Sequence, residues 1–195
     1  MPPRNRRDQT VLSSPHFGAD GTIAFRLPDA TPVNLVYCAA QQAMLGGAFV
    51  ERYMNGRTAG PFAEFVDPRT LPSPVGDAVA ERAAAWLLEN AEESEAGGTA
   101  WRHRFDFTYT PGDLPVTQPW LSAVGQANAL LACLHWWRHT SEPRWRDLAA
   151  RAIVPFVRPL GTESGVALAM ADDAAWFEEY PLVDPAHILN CHLLS

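Results

Sequence analysis

At 195 residues, 47% hydrophobic and 19% charged, the chain is long enough to bury a core and is sized for one domain rather than two. Its formal net charge of -7 argues against a nucleic-acid binder, whose phosphate contacts demand a basic face. No window holds the roughly 18 to 20 uninterrupted apolar residues of a membrane span, and MPPRNRRDQT leads into no apolar signal core, so neither a membrane nor an export route is expected and the cytoplasm is the default compartment.

Residues 1–32 are rich in Pro, Gly and Asp with a single short apolar stretch, Thr22 to Leu27, which predicts an extended arm or a minor strand. The helical body, 33–195, follows. Pro32 is placed like a first-turn proline, and Leu35, Val36, Ala39, Ala43, Leu45, Phe49 and Val50 recur at spacings near three and four, predicting one amphipathic helix that ends between Tyr53 and Gly56. Prolines and glycines then mark a loop as far as Pro74. In GDAVAERAAAWLLENAEE, Val79, Ala83, Trp86 and Leu87 share a face while Glu81, Glu89, Glu92 and Glu93 cover the other, a second helix. Phe105, Phe107 and Tyr109 alternate with polar neighbours, which predicts a short strand or extended loop and a binding surface.

Two further helices are predicted at Leu121 to His139 and Pro143 to Val157, the second opened by its proline. Leu160 to Ala171 alternates weakly around a glycine and suggests a hairpin-like loop. The last segment, Pro185 to Ser195, places Ile188, Leu189, His192 and Leu193 on one helical face and stops without a cap, which suggests truncation. Helices joined by long, aromatic-bearing loops predict a mainly α fold, an incomplete α/α toroid of helical hairpins in a ring with short β-hairpins or extended loops. An irregular α-helical domain fits the same pattern.

Cys38, Cys133 and Cys191 are odd in number and share no ligand spacing, so they are read as packing residues, and no metal or cofactor is implied. The densest chemical cluster is Trp176-Phe177-Glu178-Glu179-Tyr180-Pro181, followed by His187 and Asn190. A carboxylate partly desolvated by the aromatics would have a raised pKa and could act as a general base, with Tyr180 a neutral hydrogen donor beside it. Aromatics anchoring a loop while the acids face water would produce the same string. Trp120 opens a second cluster with Ser122, Gly125 and Gln126, where Gln126 or Ser122 could hold a hydroxyl or the small residues could serve helix packing. Arg102, Arg104 and Tyr109 form either a carboxylate clamp with an aromatic platform or a solvated strand face. His135, Trp136, Trp137 and His139 read most simply as core aromatics with a polar edge. No GxGxxG, P-loop, HExxH or GxSxG occurs.

Read in order, PVNLVYCAAQQAMLG, AWLLEN, Trp101 with RFDF, PWLSAVGQANAL and WFEEYPLVDPAHILN resemble the C-terminal domain of the glucuronyl C5-epimerases from about Pro32 to Ser195. Leu121, Ala127 and Cys191 depart from the family pattern. The resemblance implies epimerisation at C5 of a glucuronate within a uronate-containing oligo- or polysaccharide. It makes Glu179 and Tyr180 the catalytic pair, with Arg102 or Arg104 as a carboxylate clamp, and the clusters above add Tyr109, Trp120, Gln126, Glu178, His187 and Asn190 as candidate substrate-binding residues. It also implies that the family continues past the Leu-Asn segment and supplies the acid for the opposite sugar face from there, so the chain alone is expected to be incomplete or inactive unless a second copy or another chain completes the site. A non-catalytic carbohydrate-binding or scaffold domain is the alternative, and an α/α-toroid uronate lyase or glycoside hydrolase is another.

Overall fold

A computed structural model describes residues 16–27, 29–54, 69–94, 97–108, 116–162, 165–169 and 174–182. The chain opens with a three-stranded antiparallel sheet, β1 (His16–Phe17), β2 (Ile23–Arg26) and β3 (Pro32–Asn34), with β2 in the middle. The expected apolar stretch is this central strand. It is tied to the helix that follows by Gln42, a fully buried amide whose Oε1 accepts the Ile23 N–H (3.0 Å) and whose Nε2 donates to the Gly21 carbonyl (3.1 Å).

The single helix predicted from Leu35 is in fact two, α1 (Val36–Leu45) and α2 (Gly47–Met54). The break is at Gly46, whose φ of 56° and ψ of -137° suit glycine and no other residue. Its surroundings demand glycine as well, because a Cβ there would lie 2.2 Å from Asp77 Oδ2. Asp77 uses that carboxylate to accept the Gly47 N–H (3.1 Å) and to cap α3 (Ala78–Glu89) at Val79 N (2.8 Å) and Ala80 N (3.1 Å). Partial burial works against its charge, yet these backbone donors hold the Asp77 carboxyl below the usual carboxylate range. Gly46→Ala is therefore expected to lower stability by about 2 kcal/mol or more, from the unfavourable backbone conformation and the displaced cap together. A urea titration that found the variant as stable as the parent would contradict this account of the break.

Strands β4 (Glu92–Glu93) and β5 (Thr99–Ala100) form one two-stranded pair, and β6 (Arg102–His103) pairs with β7 (Trp120–Leu121). Then α4 (Ala123–Thr140) begins at Ser122, whose Oγ accepts the Gly125 N–H (3.2 Å), and ends at Ser141 in the left-handed region (φ 57°). After it, α5 (Pro143–Ala152) passes into a 3-10 turn, Val154–Val157, and the hairpin-like loop resolves into β8 (Ala167–Ala169) paired with β9 (Ala175–Phe177). The helix expected from Pro185 lies outside the described residues.

The helices pack side by side, α3 on α1, α1 on α4 and α4 on α5. Alanines at Ala40, Ala43, Ala80, Ala83, Ala84, Ala129, Ala132 and Ala149 bring them close, while Trp101, Trp136 and Trp145 fill the remaining space. The indole N–H groups of Trp101 and Trp136 donate to the Leu87 (2.8 Å) and Ala43 (2.9 Å) carbonyls. A buried aromatic side chain removes on the order of 200 Å² from water, roughly 5 kcal/mol before entropy is counted. The fold is thus mixed, with five α-helices and short strands among the described residues, and these helices form a row that does not close into a barrel. No helix among the described residues is long and apolar enough to cross a membrane. Cys38 and Cys133 are buried, as packing residues should be, and burial pushes the Cys133 thiol up to about 12. Cys191 lies outside the described residues.

Candidate functional site

The Glu178-Glu179-Tyr180 segment leaves β9 and docks by its backbone on the first turn of α4. The Glu178 N–H donates to the Val166 carbonyl (3.0 Å), and the Glu178 carbonyl accepts the Ala123 N–H (3.1 Å), one of the amide groups that a helix leaves open at its start. Fixed at that residue, the chain sends the next side chains to different environments. Phe177 packs with Leu121, Val124 and Val166, whereas Tyr180 and Leu182 pack with Phe105, Val116 and Trp120.

Glu178 itself is fully buried. Its charge is felt by the neighbouring carboxyl. Glu179 is part-buried, and its carboxyl is raised above the ordinary glutamate range, first because burial disfavours the charged form and further because Glu178 carries a like charge. A hydrogen bond from the Tyr180 hydroxyl works in the opposite direction by stabilising the carboxylate. The Tyr180 ring is held in turn by Phe107, stacked at 5.1 Å, and by Trp120 at 5.7 Å. The pair is therefore a partly desolvated base with a phenol on it, set against an aromatic bed. That bed exists because β6 and β7 pair His103 with Trp120, and the isolated bridge between Phe107 and Val116 extends the same ribbon.

Trp120 is an interior member of the bed. Its indole N–H donates to the Phe105 carbonyl (2.7 Å), and His103 lies parallel to it at 4.1 Å. The sequence places Phe107 on the expected binding surface and singles out Tyr109, which lies outside the described residues, as the site residue, while His103 counts there only as part of the basic Arg102-His103-Arg104 run. Period-two alternation offered the signal for His103, since 103, 105 and 107 share one parity along the ribbon.

Arg102 and Arg104 share one carboxylate, Glu92. Arg102 Nη1 reaches Oε2 at 3.0 Å and Arg104 Nη2 reaches Oε1 at 2.6 Å, with the Arg102 side chain 5% exposed and that of Arg104 66% exposed. The carboxylate that the two arginines hold belongs to the chain itself. Gln126 is fully buried, and its amide is engaged on both sides. Nε2 donates to the carbonyls of Thr99 (2.7 Å) and Ala152 (2.9 Å), and Oε1 accepts the Trp101 N–H (3.3 Å). As placed, it braces β5 against α4 and the end of α5. Gln126→Leu, which strands those three backbone groups, is expected to lower stability by about 3 kcal/mol or more in a urea titration. A loss of only a few tenths would mean that water or a shift of the strand replaces the amide.

Ser122 caps α4, and Gly125 lets α1 and β6 approach, since a Cβ there would sit 3.2 Å from Val36 Cβ and 3.5 Å from His103 Cε1. The small residues at this helix start serve packing. His187 and Asn190 lie outside the described residues. Among the described residues, no group of three or more His, Cys, Asp or Glu could hold a metal ion. Among known families, the model of the D-glucuronyl C5-epimerase C-terminus matches residues 95–195, just over half of the chain and all of the segments that build this site from β5 onward.

Proposed function

The chain belongs to the D-glucuronyl C5-epimerase C-terminus family, and on that premise we propose that Glu179 and Tyr180 form one face of a site that moves the C5 proton of a glucuronate residue in a glycan chain. The observation that carries this reading is the Glu179 carboxyl, raised by burial and by Glu178 while accepting the Tyr180 hydroxyl. Hydrogen at C5 is adjacent to the C6 carboxylate, so its departure leaves an enolate-like dianion. A carboxylate with a raised pKa takes a carbon-bound proton more readily than an ordinary one, because its proton affinity lies closer to that of the acid it faces. In this reading Glu179 receives the C5 proton and becomes a carboxylic acid. Tyr180 then keeps its hydrogen for the developing negative charge.

The dianion also needs cations. Arg102 and Arg104 are the proposed source, with the substrate carboxylate sharing or displacing Glu92, and Arg104 is the more accessible of the two. Phe107 and Trp120 would bed the sugar-facing tyrosine rather than meet the sugar directly. Inversion requires a proton donor on the opposite face. We assign that donor to residues outside those described or to a second chain. The row of helices is read accordingly as an arc of an α/α toroid whose remaining members would carry that face.

The test is deuterium entry at C5 of a glucuronate-containing oligosaccharide incubated with the protein in deuterated water. Entry that disappears in Glu179→Gln supports the proposal. An oligosaccharide that binds without exchange, even when a second chain of the family is added, points to a carbohydrate-binding domain without catalysis. Formation of an unsaturated product would assign a lyase, which shares the deprotonation but expels the group at C4. Absence of both binding and exchange would overturn the reading.

A further inference from the structure

We propose that His103 is a positioning residue for the Glu179–Tyr180 pair, acting through Trp120. The inference rests on the reading of that pair as the reacting groups. Trp120 is the common neighbour of the aromatic bed, touching Tyr180 at 5.7 Å, Phe107 at 6.3 Å and the edge of Phe105 at 5.6 Å. Its indole N–H is anchored on the Phe105 carbonyl. The His103 imidazole covers its ring at 4.1 Å with only 17° between the planes.

A phenyl ring could stack equally well, so the choice of histidine asks for a second reason. It is found at the start of α1, where Leu35 in the N-cap position makes no side-chain cap. The Val36 N–H there is instead accepted by His103 Nε2 at 3.4 Å, from 67 residues further along the chain. That contact fixes the neutral imidazole with its hydrogen on Nδ1. It also locks β6 to α1, and Gly125 leaves both the room to meet. One side chain thus closes a helix start and clamps the indole against which Tyr180 rests. A displacement of about 1 Å at a reacting group is enough to cost roughly a hundredfold in rate, so a clamp one ring removed from the phenol is placed to matter.

Three variants of the full chain separate positioning from simple structural support. His103→Phe keeps the flat ring and loses the acceptor; His103→Leu keeps most of the volume and loses the flat face; His103→Ala loses both. Nuclear Overhauser contacts between the Trp120 indole and the Tyr180 ring should persist in His103→Phe and weaken in His103→Leu and His103→Ala. The turnover number for C5 deuterium entry, measured below each variant's melting temperature, should fall roughly 10- to 100-fold in His103→Leu with KM little changed, and His103→Phe should recover most of it. Should His103→Ala not fold, His103→Leu carries the same comparison. Unchanged ring contacts and turnover in folded His103→Leu, alongside a lower melting temperature, would reduce His103 to a helix cap and overturn the proposal. If the parent protein shows no exchange even when a second chain of the family is added, the proposed function fails by itself, while the ring contacts still decide whether His103 clamps Trp120.

Discussion

Glu179→Gln is expected to reduce C5 hydrogen exchange by roughly two to four orders of magnitude, the range over which a positioned general base contributes. Glutamine is the informative replacement because it keeps the size of the side chain, and its amide oxygen can still accept the Tyr180 hydroxyl. Only the proton-accepting capacity is lost. The raised pKa also makes a prediction about the parent protein, since the acid limb of its exchange rate should lie above the ordinary glutamate range. Tyr180→Phe should move that limb higher still, because it removes the hydrogen bond that favours the charged form. Stability gives an independent reading with the sign fixed by linkage. A carboxyl whose folded pKa exceeds its unfolded one binds more protons in the folded state between the two values, so its contribution to stability is complete below the ordinary value of 4.5 and is lost as pH rises through the raised folded value. Relative to the parent, Glu179→Gln should therefore gain stability as pH rises from the ordinary glutamate value through the raised one, as read by urea midpoints at a series of pH values. A variant that tracked the parent at every pH, and still exchanged deuterium, would place the base elsewhere.

What could be seen of this site in the sequence, and what could not, follows from whether the determining contact is local. An apolar face at Val79, Ala83 and Leu87 made α3 legible as far as Glu89, although Glu92 and Glu93, expected on its polar face, form β4 instead; Pro143 opens a helix after a turn, so the start of α5 was legible, as was α4 to within two residues at its start. The break at Gly46 was not, because the apolar period runs straight through it and the reason for the break is a carboxylate thirty residues away. The sheet of β1, β2 and β3 was foreshadowed by a single apolar run because its outer strands are two and three residues long. At the site, the adjacency of Glu178 and Glu179 was plain, yet their separation into a buried acid and a part-buried one depends on where the backbone docks on α4. Gln126 shows the same limit, since a glutamine at a helix start suggests hydroxyl binding until Thr99, Trp101 and Ala152 are found around its amide. The arginine pair left a carboxylate clamp and a solvated strand face equally open, and only the folded chain brings Glu92 to both side chains.

Acidification is expected to cost the fold about 2 kcal/mol between pH 6.5 and pH 5 through His103 alone, and on the order of 4 kcal/mol if the protein stays folded to pH 3. Burial pushes this imidazole down from 6.5 to about 3, opposed weakly by the Trp120 backbone, and the groups packed on it are Trp120, Phe105 and the Val36 amide, none of them charged. The sign follows from proton counting: below pH 6.5 the unfolded chain binds a proton that the folded chain refuses until about pH 3, so stability falls as pH falls across that interval. Protonation would also convert Nε2 from acceptor to donor, facing it toward the Val36 N–H and stranding the start of α1. Asp77 titrates with the same sign at lower pH, so the measurement is a comparison between proteins rather than a single curve. His103→Phe, although less stable at neutral pH for want of an acceptor, should show a flatter dependence of urea midpoint on pH from 6.5 to 5, the two curves converging as pH falls. Parallel curves would mean that the imidazole takes up its proton in the folded state, which is incompatible with an uncharged ring sealed between Trp120 and the first turn of α1.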